Sequence, residues 1–458
     1  MPGLFQGIST MNSALSAFQT ALDVTGNNIT NVNTIGYSRQ SIELNPLPST
    51  LDENHFVGNG VNLVSINRVQ SQFLFSQQVQ ASSEDGRVNT LLSGLNNIQS
   101  LTNATNGSSI GDNLTAFFNA WSALGSSPSD PALLQQVQQT GETLASSVQG
   151  MYKSLQAQAT STDSQISGTI QQAQTLLTNI AALNKQIQAA TTSGSSPNEL
   201  LDERDQAVQQ LSEIMPVKVQ PVADGTVMLF SGQMTLVDQT GAATLPTSYD
   251  DSTSSLTNGT QSFPITSGQL GGLFQTQQKT ASYESQLDTL ANTLRTQFNS
   301  IESTGTNSLG QTGQNFFQDV PAGQPQTGAV DFQVDPAIVA NPQAIATGVS
   351  GNASDGGLAL SMSNLRSSKV PALGNQTFND FFTAFVSTIG QDASTAQAQS
   401  TTSAAVMQQI GQQISSVSGV SLDQELSNML QYQRSYQAAA KALSVFDETT
   451  NDLINILQ

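Results

Sequence analysis

Between Val148 and Ala190, apolar side chains return at alternating steps of four and three: Val148, Tyr152, Leu155, Ala159, Ile166, Ala173, Leu176, Ile180, Leu183, Ile187 and Ala190. Thr162 and Thr169 stand where the pattern lapses. A stripe of this spacing keeps one helix face toward a partner, so the segment predicts one coiled-coil-like helix roughly 65 Å long at 1.5 Å per residue. A rod of that length rules out a fold made only of short elements. The pattern ends at Ser193-Gly194-Ser195-Ser196-Pro197, a cluster of helix breakers. Similar spacing predicts two more long helices, from Gly272 to Ile301 and from Thr377 to Val417.

Both chain ends carry the same signal. The first 38 residues hold one charged side chain, Asp23, and place Ile8, Met11, Leu15, Phe18, Leu22 and Ile29 on a seam that Thr25 completes. Near the other end Leu422, Leu426, Met429, Tyr436, Ala440, Leu443, Ile454 and Leu457 repeat it, with Gln433, Asp447 and Thr450 as interruptions. Ser421 followed by Gln424 just after Gly419 forms a capping-box pattern, which starts the last helix near 421. Apolar seams on two terminal helices, the first nearly uncharged, predict that the termini pair with each other and with other copies. The seam residues are therefore the expected assembly interface.

Strand character is concentrated between Val217 and Ile265. Val217-Lys218-Val219-Gln220 and Thr226-Val227-Met228-Leu229-Phe230 flank Ala223-Asp224-Gly225, which reads as a hairpin. Residues 303–372 are rich in Gly, Thr, Gln and Pro, with short apolar pieces such as Val330-Asp331-Phe332-Gln333-Val334, and read as strands and loops attached to that insert. The expected fold is mixed but mainly α, a nested multidomain rod. Residues 1–38 with 421–458 form a terminal helical domain, 39–211 with 268–302 and 373–420 a helical rod, and 212–267 with 303–372 a β-rich outer insert.

Composition removes several function classes. Acidic residues number 33 against 13 basic ones, a net charge of -20, which opposes nucleic acid and anionic membrane surfaces. Only 10% of residues are charged, so neutral polar side chains cover most of the surface. Cysteine is absent, which removes thiolate metal sites and Cys nucleophiles, and the sole histidine, His55, lies in a turn-like context. The first basic residue is Arg39 and no apolar run reaches 18 residues, so neither a cleaved signal peptide nor a membrane span is expected. Asp202-Glu203-Arg204-Asp205 could suggest paired catalytic carboxylates, but consecutive helical positions splay around the axis, and a solvated or interdomain ion-pair face is the expected role. Trp121, Tyr432 and Tyr436 read as packing residues. No catalytic residue, metal or cofactor is expected.

The sharpest local feature is Gly26-Asn27-Asn28-Ile29-Thr30-Asn31-Val32-Asn33-Thr34-Ile35-Gly36-Tyr37-Ser38-Arg39-Gln40, in which clustered asparagines and Gly36 close an apolar helix. This run, through Asn28, Asn31, Asn33, Thr34, Gly36, Tyr37, Ser38, Arg39 and Gln40, resembles the signature of flagellar axial proteins, and specifically the hook-associated protein 1 family. Thr30 and Ile35 stand where that family usually has Ala and Pro. Residues 198–208 and 418–440 resemble the same family in the same order. The resemblance implies a non-enzymatic structural component that joins hook to filament as a ring of copies. It also implies hook protein and hook-associated protein 3 as neighbours and a cytoplasmic export chaperone at the C-terminal helix. The implied location is extracellular, reached through the flagellar type III secretion system without a cleaved signal. Two other readings compete: a hook or rod subunit of the same class, and a secreted adhesin, which the lone Tyr249 in the β insert disfavours.

Overall fold

A computed structural model of the chain describes residues 2–52, 55–103, 109–319, 328–350, 352 and 354–456. Helix α1 (Pro2–Thr30) opens the chain and leads through the asparagine-rich turn into strands β1 (Gln40–Pro46), β2 (Thr50–Asp52), β3 (His55–Val57) and β4 (Val61–Arg68). Strands β1 and β4 pair antiparallel from Gln40↔Arg68 to Pro46↔Val61, and β2 pairs with β3 in the same hairpin arm. Residues 39–68 therefore depart from the expected helical rod. The physical signal is the period-two alternation around Ile42-Glu43-Leu44 and Val61-Asn62-Leu63, which puts alternate side chains on opposite faces.

Long helices then dominate: α2 (Gln72–Asn103), the shorter α3 (Ile110–Ser126), and α4 (Pro131–Thr192) at 62 residues. Helix α4 begins at Pro131 rather than near Val148. Asp130 caps it by accepting the Ala132 N–H, and Pro131 occupies the first turn, where its missing N–H costs nothing. Gly141 does not break this helix because the space beside it is filled, and a Cβ there would lie 2.8 Å from the Phe316 ring. The helix ends at the expected breaker cluster, where Gly194 adopts φ +79°.

Helix α5 (Asn198–Ile214) precedes two three-stranded antiparallel sheets: β5 (Lys218–Pro221), β6 (Val227–Ser231), β7 (Met234–Val237), and β8 (Ser248–Asp250), β9 (Ser255–Asn258), β10 (Gln261–Pro264). The β5–β6 hairpin turns at Gly225, φ +85°, with Asp224 accepting the Thr226 N–H. After α6 (Gly268–Glu302) come β11 (Thr306–Asn307), α7 (Pro336–Ala340), β12 (Ala346–Gly348) and α8 (Gly357–Asn364), followed by α9 (Phe378–Ser418) and α10 (Leu422–Ile456). The last two long helices begin and end within a few residues of the expected positions.

Two apolar cores organise the rod. One gathers Phe117, Phe118, Trp121, Phe298, Phe316, Phe317 and Phe332 with aliphatic residues of α2, α4, α6 and α9. The other joins Phe75, Ile166, Ile170, Leu177, Val208, Leu211 and Phe274 to Val227, Leu229, Leu236 and Leu256 of the sheets. Residues 303–372 pack on the first core, not on the sheets, so their expected attachment to the β insert does not hold. The reason is aromatic bulk: Phe316, Phe317 and Phe332 are fully buried, with Phe317 and Phe332 ring centres 4.4 Å apart and Phe316 5.4 Å from Trp121. Val330–Val334 likewise forms a turn with one bridge, Phe317↔Val334, in place of a strand.

Candidate assembly interface

Helices α1 and α10 run antiparallel as a pair. At one end a Cβ on Gly7 would touch the Phe446 ring at 2.7 Å; at the other, Asn28 Nδ2 donates to Glu425 Oε2 at 3.2 Å. The residues that bury along the pair, where α1 also packs on β1 and β4, are small or polar: Ala17, Ala21, Val24, Thr25 and Asn28 on α1, and Glu425 and Ala439 on α10. At 3.6 residues per turn, Ile8, Met11, Leu15, Phe18, Leu22 and Ile29 lie about 100° around α1 from that face, and all six are half-buried. Helix α1 thus carries two stripes, a narrow one that admits α10 closely and a broad apolar one.

On α10 the expected residues divide. Met429, Tyr436 and Leu443 are half-buried, in phase with Glu425 and Ala439, whereas Leu422, Leu426 and Ile454 are 45%, 50% and 50% exposed. Leu430 and Val445 add to the exposed set. Leu457 lies outside the described residues. Large apolar side chains left open on a helix make this face a candidate interaction surface.

The signature turn is the bracket that holds this pair to the rod. Asn28, 1% exposed, uses its whole amide: Oδ1 accepts from the Gln40 N–H (2.9 Å) and the Tyr37 hydroxyl (2.8 Å), while Nδ2 donates to the Gln40 carbonyl (2.9 Å) and to Glu425. Asn31 donates back to the Asn27 carbonyl and receives the Thr34 hydroxyl. Gly36 turns the chain at φ +83°, where a side chain would strain the backbone. Asn33, Thr34 and Gly36 are exposed. The Arg39 N–H donates to the Ser418 carbonyl, tying the turn to the end of α9. Arg39 Nε is buried with no hydrogen-bond partner among the described residues.

Beneath the turn, the acidic run on α5 forms a largely buried ion cluster. Asp202 accepts both the N–H (3.0 Å) and the hydroxyl (2.8 Å) of Ser38, and Glu199 accepts Gln40 Nε2 at 3.1 Å. Arg68 at the end of β4 spans Asp202 (2.9 Å) and Asp205 (2.7 Å). Arg204 pairs with Asp205 and also donates to the Gly225 carbonyl at 2.7 Å, which pins the β5–β6 hairpin. The role expected for this run is a solvated or interdomain ion-pair face; the cluster is not solvated, since Arg204 is 4% and Asp205 8% exposed. Burial, followed by the charges of Asp202, Glu199 and Glu425, pushes the Tyr37 hydroxyl up to about 12, so it stays protonated and able to donate to Asn28.

Sequence reasoning missed Glu425, Arg68 and the small-residue face of α1. Glu425 had a signal: it occupies the inward phase of α10, where a carboxylate needs a partner. Among the described residues no group of three His, Asp or Glu side chains is placed to hold a metal. His55 lies on β3.

Comparison with known proteins accounts for this geometry. Residues 95–317 match the family model of the flagellar hook-associated protein FlgK helical domain. Residues 8–37 match that of the flagella basal body rod protein, and 412–456 that of the flagellar basal body rod FlgEFG protein C-terminal segment. Flagellar hook-associated protein 1 of Bacillus subtilis is 27% identical over 99% of both chains. Along nearly its whole length the chain is similar to the flagellar hook-associated protein 1 family. The Salmonella typhimurium member is also 27% identical, over 97% of this chain and 98% of its own, and the Escherichia coli member is 26% identical over 98% and 99%. The flagellar hook junction protein FlgK of Burkholderia pseudomallei shares the fold, with a TM-score of 0.64 at 18% identity over 76% of this chain and all of its own. The two rod-type terminal models fall on α1 with its turn and on α10 with the end of α9, the segments that the Asn28 bracket joins, and the helical-domain model runs from the end of α2 through α6, both three-stranded sheets included. The chain is a structural component of the bacterial flagellum.

Proposed function

We propose that this chain is the ring subunit that joins hook to filament, with the paired α1 and α10 as its axial segment. The observation that supports this reading is the set of large apolar side chains that the pair leaves open, Leu422, Leu426, Leu430 and Ile454 on α10, beside the broad stripe of α1. Neighbouring copies cover the stripe of Ile8, Met11, Leu15, Phe18, Leu22 and Ile29; hook protein contacts one end of the ring and hook-associated protein 3 the other. Few charges accompany these residues, so the surface dehydrates at low cost. The chain performs no catalysis.

An export chaperone covers the exposed face of α10 in the cytoplasm, before type III secretion delivers the chain, without a cleaved signal, to the extracellular flagellum. Each such side chain contributes about 1.5–3 kcal/mol when fully buried, ample for a reversible complex. The deciding experiment is a strain lacking the gene: hooks without filaments and flagellin in the medium are expected. Filaments of normal number and attachment would refute the junction role, and chaperone affinity that survives removal of residues 421–458 would refute the α10 docking site.

A further inference from the structure

The two apolar cores of the rod do not meet. Helix α4 belongs to the aromatic core as far as Leu155 and to the sheet-bearing core from Ile166 onward, and Thr162 is the only buried residue between them. Helix α6 passes from Phe274 to Tyr283 with only Thr276 and Thr280 buried on the way. On α9, Ser403 alone is buried between Ala396 and Ile410. On α2, Ser82, Ser83 and Val88 lie between Val79 and Leu91. On α4 and α6 the lapses lie at one level, where the buried side chains are neutral and small, whereas those of α2 and α9 fall nearer the sheets: Ser83 meets Ser267 just ahead of α6, and Ser82 meets Met407.

Hydroxyls in this layer do little to stitch the helices together. Thr162, Thr276 and Thr280 each donate to the carbonyl four residues earlier in their own helix, at 3.0, 2.9 and 2.9 Å, an arrangement that loosens the helix ladder and favours bending. An open cleft of about 510 Å³ lies in the layer, walled by residues such as Asn97, Gln158, Gln165, Thr169 and Gln269. Its walls hold no charge and no aromatic ring, so nothing in it selects an ion or a sugar. On the other side α2 and α6 touch closely: a Cβ on Gly94 would lie 2.5 Å from Thr276, and one on Gly272 would collide with the Arg87 carbonyl. Polar side chains tether the helices here: Asp163 of α4 accepts Tyr249 Oη at 3.1 Å and Gln277 Nε2 at 3.2 Å, Arg87 of α2 donates to Gln275 of α6 at 2.7 Å, and Lys279 of α6 pairs with Asp392 of α9 at 2.8 Å.

We propose that this layer is a hinge, with the glycine contacts of α2 and α6 as its pivot and the neutral cleft as the space into which the rod bends. Apolar cores resist deformation because bending opens voids between close-packed side chains. A wet layer of amides and hydroxyls does not, since each group exchanges a protein partner for water at little net cost. The hinge stands on packing alone; its use, letting the two halves of a subunit follow differently shaped lattices, rests on the junction reading.

The chain has no cysteine, so spin labels on introduced cysteines report single sites. Lys185→Cys with Ser387→Cys spans the layer, and Gln136→Cys with Ser387→Cys stays beside the aromatic core; all three positions are exposed. The full-length chain should give a broader distance distribution across the layer than within the core. Filling the layer with Thr162→Leu and Thr276→Leu should narrow the cross-layer distribution to the within-core width; if the leucines prevent folding, Thr162→Val with Thr276→Val should narrow it in part. Equal widths in the unfilled chain would overturn the hinge, as would a broad distribution that filling leaves unchanged. Neither result depends on whether the chain joins hook to filament.

Discussion

Asn28 closes both main-chain groups of Gln40, taking its N–H on Oδ1 and giving Nδ2 to its carbonyl, each at 2.9 Å. The same clasp occurs twice more, between Asn184 of α4 and Val227 of β6 (2.8 and 3.2 Å) and between Asn299 of α6 and Phe317 (2.8 and 2.9 Å). In each case a helix presents a buried asparagine to an extended segment and satisfies peptide groups that would otherwise be stranded at a helix–strand contact. Only an amide offers donor and acceptor at that spacing.

Replacement of these asparagines should therefore cost more than their size suggests. Asn28→Ala strands two buried peptide groups and removes the partner of Glu425, at about 1–3 kcal/mol for each buried group left unpaired. The expected outcome is an undocked turn, read as protease cleavage within residues 31–39 at a rate well above that of the unaltered chain. Asn28→Asp should be no milder, because it keeps only the acceptor and sets a second carboxylate beside Glu425. Unchanged cleavage in both variants would show that the clasp does not hold the terminal pair.

Arg68 bridges Asp202 and Asp205 while Arg204 holds Asp205 from the other side, and side chains in this cluster are 5–12% exposed. Removing one partner of a buried ion pair leaves the others uncompensated, so Arg68→Ala is expected to lower stability by about 3–5 kcal/mol in denaturant titration. Arg68→Lys should recover only part of that, since one ammonium cannot present two separated donors to both carboxylates. Full recovery by lysine would show that charge alone matters there.

How much of this was legible in the sequence follows from what each signal reports. Apolar spacing reports which side chains a helix buries, so α6, α9 and α10 fell close to their expected bounds. Spacing is silent on which partner a stripe meets: Ile8 to Ile29 stand out because they are large, yet the face of α1 that the chain itself buries holds the smaller Ala17, Ala21 and Val24. Phe316, Phe317 and Phe332 were visible as apolar pieces, but their choice of core depends on where Trp121 and Phe298 place a cavity, a long-range fact. The asparagine signature was legible as a helix end and not as a clasp, because its partners Gln40, Asp202 and Glu425 meet only in the folded chain.

Glu302 supplies a pH-dependent test of the aromatic core. It is fully buried, Oε1 accepts the Ala346 N–H at 2.6 Å, and Oε2 has no partner among the described residues. Desolvation, only partly opposed by the Ala346 hydrogen bond, pushes its carboxyl from 4.5 up to about 8, so the folded chain keeps it neutral at pH 7. An acid whose folded value is raised contributes stability that is fully present below about pH 4.5 and is lost as pH climbs through 8. The displacement corresponds to on the order of 5 kcal/mol. Glu302→Gln should flatten the stability profile between pH 5 and about 8 in thermal unfolding, and a variant with the same slope as the unaltered chain would count against the buried neutral acid.

The two stripes of α1 make opposite predictions for the same chemical change. Ala21 is 1% exposed against α10, so Ala21→Asp buries a charge within the chain and should separate the helix pair, seen as new protease sites in α10 of the isolated monomer. Leu15 lies on the outer stripe and is half-buried, so Leu15→Asp can keep its carboxylate in water while the chain is alone. It loses that water only when a neighbouring copy covers the stripe, at a cost of several kcal/mol repeated in every subunit of the ring. Leu15→Asp should therefore fold with near-normal circular dichroism, be secreted, and fail to restore filaments to the deletion strain. If Leu15→Asp swims normally, the outer stripe is not an assembly surface; if it melts the monomer as Ala21→Asp does, the two faces are not distinct.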